Sequence, residues 1–128
     1  MGHRILLCDD EVHILKAAEI KLSRAGYEVT TAADGEEGWE SIQAQMPDFV
    51  ITDCQMPRLN GLGLAKRIRE HAATAHLPII LLTAKGYELS ITQVQQELGI
   101  LTIVDKPFSP KQLTAMVDEV LKPVPQPS

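Results

Sequence analysis

The sequence predicts a doubly wound α/β domain, in which a parallel sheet carries helices on both faces. Three observations carry that prediction. Five apolar runs of strand length recur along the chain: RILLC, YEVTTA, DFVIT, PIILLT and ILTIV. Segments with helical spacing lie between them, and strict alternation of strand and helix calls for parallel pairing. The third to fifth runs are almost uninterrupted in apolar residues, as strands covered on both faces are. With 128 residues, 45% of them hydrophobic, the chain suffices for one domain with an ordinary core.

Each helix has its own signals. After the first strand, Ile14, Leu15, Ala18, Leu22 and Ala25 share one face, and Gly26 follows as a C-cap. After the second, Asp34 is an N-cap with Glu37 three residues later, ahead of Trp39, Ile42 and Met46. Asn60 caps a third helix carrying Leu64, Ala65 and Ile68, and Ile91, Val94 and Leu98 mark a fourth, closed by Gly99. The last helix has the clearest start, with Ser109 as N-cap, Pro110 at the first helical position and Gln112 completing the box. Its stripe is Leu113, Met116, Val117, Val120 and Leu121. The end, KPVPQPS, has three prolines and cannot continue the helix. Residues 1–122 are therefore expected to form the domain, and 123–128 an extended tail or the start of a linker.

Composition narrows the function. A net charge of −5 argues against a nucleic-acid surface, which needs a basic stripe. No apolar run reaches membrane-spanning length, and MGHRILLCDDE lacks a signal-peptide pattern. Cys8 and Cys54 are not at metal-ligand spacing. They suit a reducing cytoplasm, as small core fillers beside the carboxylates.

In doubly wound sheets, ligands sit outside the carboxyl ends of the strands. The first strand leaves Asp9 and Asp10 there, the third Asp53, the fourth Thr83, and the fifth Lys106 followed by Pro107. Singly, each has an ordinary explanation: Asp10 as a helix cap, Thr83 as a turn hydroxyl, Lys106 as a solvated amine. Together, three carboxylates and one ammonium crowd one rim, and a purely structural arrangement would not stack like charges without a compensating cation. Mg²⁺ is the natural one, because it takes oxygen ligands, keeps several waters and needs few carboxylates.

The ordered set CDDE, DFVITDCQMPRLNG, LLTA and DKPFSP closely resembles the receiver domain of two-component response regulators, over residues 4 to about 122. The resemblance implies a flavodoxin-like (βα)₅ fold with strand order 2-1-3-4-5, and cytoplasmic work as a phosphoryl-accepting switch rather than a turnover enzyme. It implies Asp53 as phosphoacceptor, with Mg²⁺ bound by Asp10, Asp53 and the backbone carbonyl of Gln55, and Asp9 acting mainly through metal-bound water. Lys106 and Thr83 would contact the phosphoryl group, small Ala84 would leave it room, and the Lys106–Pro107 bond would be cis. The donor would be a phosphohistidine on a sensor histidine kinase or a histidine phosphotransfer protein, and the readout a downstream partner or effector domain, with no nucleic acid or membrane bound by this domain. The output face would be the fourth helix, fifth strand and fifth helix.

Three rivals share part of this pattern. An FMN-binding flavodoxin needs a hydroxyl- and glycine-rich loop where this chain has CDDE. A haloacid-dehalogenase-like phosphatase places a second Asp two residues after its nucleophile, where this chain has Gln55. A pseudo-receiver scaffold would lack one or more of the five site residues, all of which are present. Two stretches depart from the receiver pattern, and in the first Ile103 stands where Tyr, Phe or His is usual. Leu101 and Thr102 stand where acidic residues are common, and Met116 and Asp118 at helix positions often basic in winged-helix transcription factors. These departures put an ion-paired dimer across that face in doubt.

Overall fold

The computed structural model describes residues 3–84 and 91–121, with residues 91–94 described by backbone alone. Five strands and five helices alternate: β1 (Arg4–Cys8), α1 (Val12–Arg24), β2 (Glu28–Ala32), α2 (Gly35–Ala44), β3 (Phe49–Asp53), α3 (Gly61–Glu70), β4 (Ile79–Thr83), α4 (Ile91–Leu98), β5 (Thr102–Asp105) and α5 (Pro110–Leu121). The strands form one parallel sheet in the order β2-β1-β3-β4-β5. β1 and β3 are therefore neighbours, with Cys8 opposite Thr52, which brings Asp9 and Asp53 to one rim.

The pleat sorts the core into two layers, because successive side chains of a strand point to opposite faces. Leu6, Val50, Ile79 and Leu81 pack on one face with Ile42 of α2 and Leu64 and Ile68 of α3. Ile5, Leu7, Phe49, Ile51, Ile80 and Leu82 pack on the other with Leu22 of α1 and Leu113 and Val117 of α5. β3 and β4 are buried along their whole length, as their apolar runs predict. β5 is only half-buried, because it is an edge strand.

The helix boundaries follow local chemistry. α1 ends in a Schellman motif: the Tyr27 N–H donates to the Leu22 carbonyl, the Gly26 N–H donates to the Ser23 carbonyl, and Gly26 takes φ 100°. Asp34, Asn60 and Ser109 accept from the backbone N–H groups of Glu37, Gly63 and Gln112. Gly99, at φ 59°, follows α4. Two expectations need correction. Met46 lies beyond α2, which stops at Ala44, since Pro47 disfavours helical backbone in the residue before it. Val120 is 42% exposed, because Leu113, Val117 and Leu121 line the inner face at four-residue spacing and Val120 is turned off that line. The proposed face of α4 rests on Ile91 and Val94, whose side chains lie outside the described residues, as does the 123–128 tail; Leu98 does pack against the core.

Arg69, near the end of α3, ties several segments together. Its guanidinium donates to the carbonyls of Leu98 and Gly99 and to those of Ala75 and Leu77. Among the described residues, no helix is long and apolar enough to cross a membrane.

Candidate functional site

The strands end where the sheet offers its carboxyl edge, and the polar residues that follow them meet there. Asp9, directly after β1, is 1% exposed; Asp53, the last residue of β3, is 4% exposed; Lys106, directly after β5, is 9% exposed. Asp10 remains exposed at the rim. The Lys106 ammonium lies 2.8 Å from Asp9 Oδ2, 3.0 Å from Asp53 Oδ2 and 3.0 Å from Glu11 Oε1. The contact with Asp9 is an ion pair without an aligned hydrogen bond, so buried Asp9 Oδ2 accepts from no directed donor.

The start of α1 keeps these carboxylates available. Glu11 occupies the N-cap but its side chain caps nothing, because it reaches toward Lys106. Instead Asp9 Oδ1 accepts from the Glu11 N–H at 2.9 Å, which fixes the rotamer of Asp9. Asp53 is held from the other side, where its Oδ1 accepts from the Gln55 N–H at 3.4 Å. Gly61 closes the loop after β3: its N–H donates to the Cys54 carbonyl, and a Cβ there would stand 2.0 Å from the Asp53 carbonyl oxygen.

The electrostatics follow from this crowding. Burial raises the Asp53 carboxyl above the usual carboxylate range; the Lys106 hydrogen bond opposes that rise and the Asp9 charge adds to it. For Lys106, burial alone would favour the neutral amine, but the close Asp9 carboxylate and the hydrogen bonds to Asp53 and Glu11 outweigh it and hold the ammonium well above its ordinary pKa. Burial pushes the thiols of Cys8 and Cys54 up to about 12, so both are neutral fillers beside the site. Carboxylate oxygens of Asp9, Asp10 and Asp53 all lie within 4.8 Å of one another. That all-oxygen donor set, with Asp9 Oδ2 lacking a directed donor, fits a hard divalent cation.

Thr83 ends β4 and is buried. Its hydroxyl does not point to Asp53; it donates to Asp105 Oδ1 at 3.0 Å. Ala84 is half-buried and Gln55 exposed. The Lys106–Pro107 peptide bond is cis. Ile103, in β5, is half-buried and packs against the core layer that holds Leu81. Two residues of this network escape a reading by motif. Glu11 was legible only as the last letter of CDDE. Asp105 could have been found from the strand order, since adjacent parallel β4 and β5 set it opposite Thr83.

Comparison with known proteins agrees with this geometry. The response regulator receiver domain family matches residues 5–118. A probable transcriptional regulator, ycf27, of Guillardia theta is 44% identical over 119 residues, covering 93% of this chain and 45% of that protein. The alkaline phosphatase synthesis transcriptional regulatory protein PhoP of Bacillus subtilis is 36% identical over 122 residues, covering 95% and 50%. A crystal structure of a response regulator from Chloroflexus aurantiacus superposes with a TM-score of 0.85 at 38% identity, covering 94% of this chain and 98% of that one. This chain therefore belongs to the receiver domains of two-component response regulators, a family of phospho-acceptor switches in which phosphorylation on Asp is typical. It spans about half the length of the curated relatives it matches.

Proposed function

We propose that Asp53 accepts a phosphoryl group from a phosphohistidine in a Mg²⁺-dependent reaction, and that the modified domain switches the face formed by α4, β5 and α5. One observation carries the reading: Asp53 is a buried strand-end carboxylate placed 3.0 Å from a buried ammonium, beside two more carboxylates. Asp9, Asp10 and Asp53, with the Gln55 backbone carbonyl, would hold Mg²⁺, which when bound supplies positive charge against the phosphoryl oxygens. An Asp53 oxygen attacks phosphorus in line; the new P–O bond forms as the P–N bond breaks, and the electron pair leaves on the imidazole nitrogen of the donor. Lys106 stays beside the transferred group and pairs with its equatorial oxygens. Thr83 donates its hydroxyl to the same group once it turns from Asp105. Ala84 adds no bulk against it.

The donor is a sensor histidine kinase or a histidine phosphotransfer protein, and the domain works in the cytoplasm, passing its state to a downstream partner or effector domain. It catalyses its own phosphorylation and hydrolysis and turns over no separate substrate. Residues 1–122 make up this unit and 123–128 a tail or linker. Acetyl phosphate with Mg²⁺ should add one phosphoryl mass to the chain, and Asp53→Ala should abolish the adduct. An adduct of equal yield in that variant would move the acceptor elsewhere.

A further inference from the structure

Thr83 and Asp105 face each other in the parallel register of β4 and β5, and two bonds join this corner. The Lys106 N–H donates to the Thr83 carbonyl at 2.7 Å, and the Thr83 hydroxyl donates to Asp105 Oδ1 at 3.0 Å. The first belongs to the backbone and breaks only if the sheet edge opens. The second is a side-chain bond from a buried hydroxyl to an exposed carboxylate, and a rotation about one χ angle is enough to break it. A hydroxyl carries a single proton and donates one hydrogen bond at a time. Thr83 therefore cannot serve Asp105 and a phosphoryl group on Asp53 together.

We propose that Asp105 is a positioning residue that parks the Thr83 hydroxyl away from Asp53 in the resting domain and surrenders it on phosphorylation. The proposal rests on the reading of Asp53 as phosphoacceptor. Exchanging one anionic acceptor for another keeps the hydroxyl satisfied in both states, so the switch leaves no buried donor orphaned. Its threshold is then set by how strongly the resting state holds Thr83, since only a free-energy difference between states shifts a population. The same exchange releases the last side chain of β5, next to Lys106 and on the strand that carries Ile103. Phosphorylation is thereby coupled to the edge strand with no aromatic ring at position 103.

Beryllofluoride with Mg²⁺, a mimic of the phosphoryl group, can be titrated into the full chain and its bound form counted by fluorine NMR. Asp105→Ala should tighten apparent binding about tenfold, the scale expected for losing one hydrogen bond to a charged group. Asp105→Asn keeps a weaker, neutral acceptor and should give a smaller gain. Removing a negative charge near an anion would also tighten binding, so the comparison that decides is made in a Thr83→Ala background. There Asp105→Ala should give only the gain due to the lost charge, several-fold smaller than in the presence of Thr83, because no hydroxyl remains to be parked. An equal gain in both backgrounds, or no gain from Asp105→Ala in the presence of Thr83, overturns the proposal while leaving Asp53 as acceptor. Bound beryllofluoride that survives Asp53→Asn, or none in the unaltered chain, instead overturns the acceptor reading, and this inference falls with it.

Discussion

Without its ammonium, Lys106 would leave Asp9 and Asp53 buried on adjacent strands with no cation between them. Removing one partner of a buried ion pair costs on the order of 3 kcal/mol, so Lys106→Met should lower metal-free stability by about that amount in urea unfolding. Millimolar Mg²⁺ should recover part of the deficit; an equal deficit with and without metal would show that the cation does not reach these carboxylates. The neighbouring thiols allow a second test. Burial holds their folded pKa at about 12, above the ordinary thiol value of 9.0, so the native state keeps these protons longer than the unfolded chain as pH rises. Their contribution is therefore lost progressively between pH 9 and about 12, and stability should fall across that window. At neutral pH both should resist a thiol reagent until the chain unfolds. At this scale the sequence was informative about identity and silent about partners. Asp9, Asp10, Asp53, Thr83 and Lys106 were legible because each follows or ends a strand. That Asp105 faces Thr83 follows only once the strand order is known, and that Glu11 joins Lys106 depends on a side-chain rotamer that no spacing encodes.

Gly61 shows how one element can be set by the backbone of another. It begins α3 against the Asp53 carbonyl, and a methyl group there has no room. Gly61→Ala should displace the β3–α3 loop, lower stability by about 2 kcal/mol and reduce the yield of phosphoryl adduct. A normal adduct yield in a destabilised variant would separate packing from the placement of Asp53. On β5, Ile103→Ala should cost about 1–2 kcal/mol, below the range for a fully buried side chain because Ile103 is only partly buried, and leave the adduct intact; loss of the adduct would place Ile103 in the acceptor chemistry. The elements themselves were legible wherever local chemistry decides them: the caps at Asp34, Asn60 and Ser109, and the stop at Gly26. Errors fell where a neighbour decides. Pro47 ended α2 before Met46, and the edge position of β5 left only half-buried what its apolar run predicted to be covered.

For the molecule as a whole, binding at the carboxyl edge is linked to folding, because the unfolded chain has no assembled site. Mg²⁺ at one hundred times its dissociation constant should add about 2.7 kcal/mol, seen as a melting temperature that climbs with metal concentration. Asp10→Asn should flatten that climb, and a melting curve unmoved at millimolar metal would remove the cation site. Alternation of strand and helix made the layered sheet legible from composition and spacing alone. The order β2-β1-β3-β4-β5 came only through the resemblance, since local patterns do not say which parallel strands adjoin. Arg69 gives this assembly a mechanical character. By gripping the carbonyls of Leu98 and Gly99 from α3, it ties the C-terminal end of α4 to the body of the domain. A helix of 8 residues is about 12 Å long. A turn of roughly 10° about that anchored end would move the opposite end of α4 by about 2 Å.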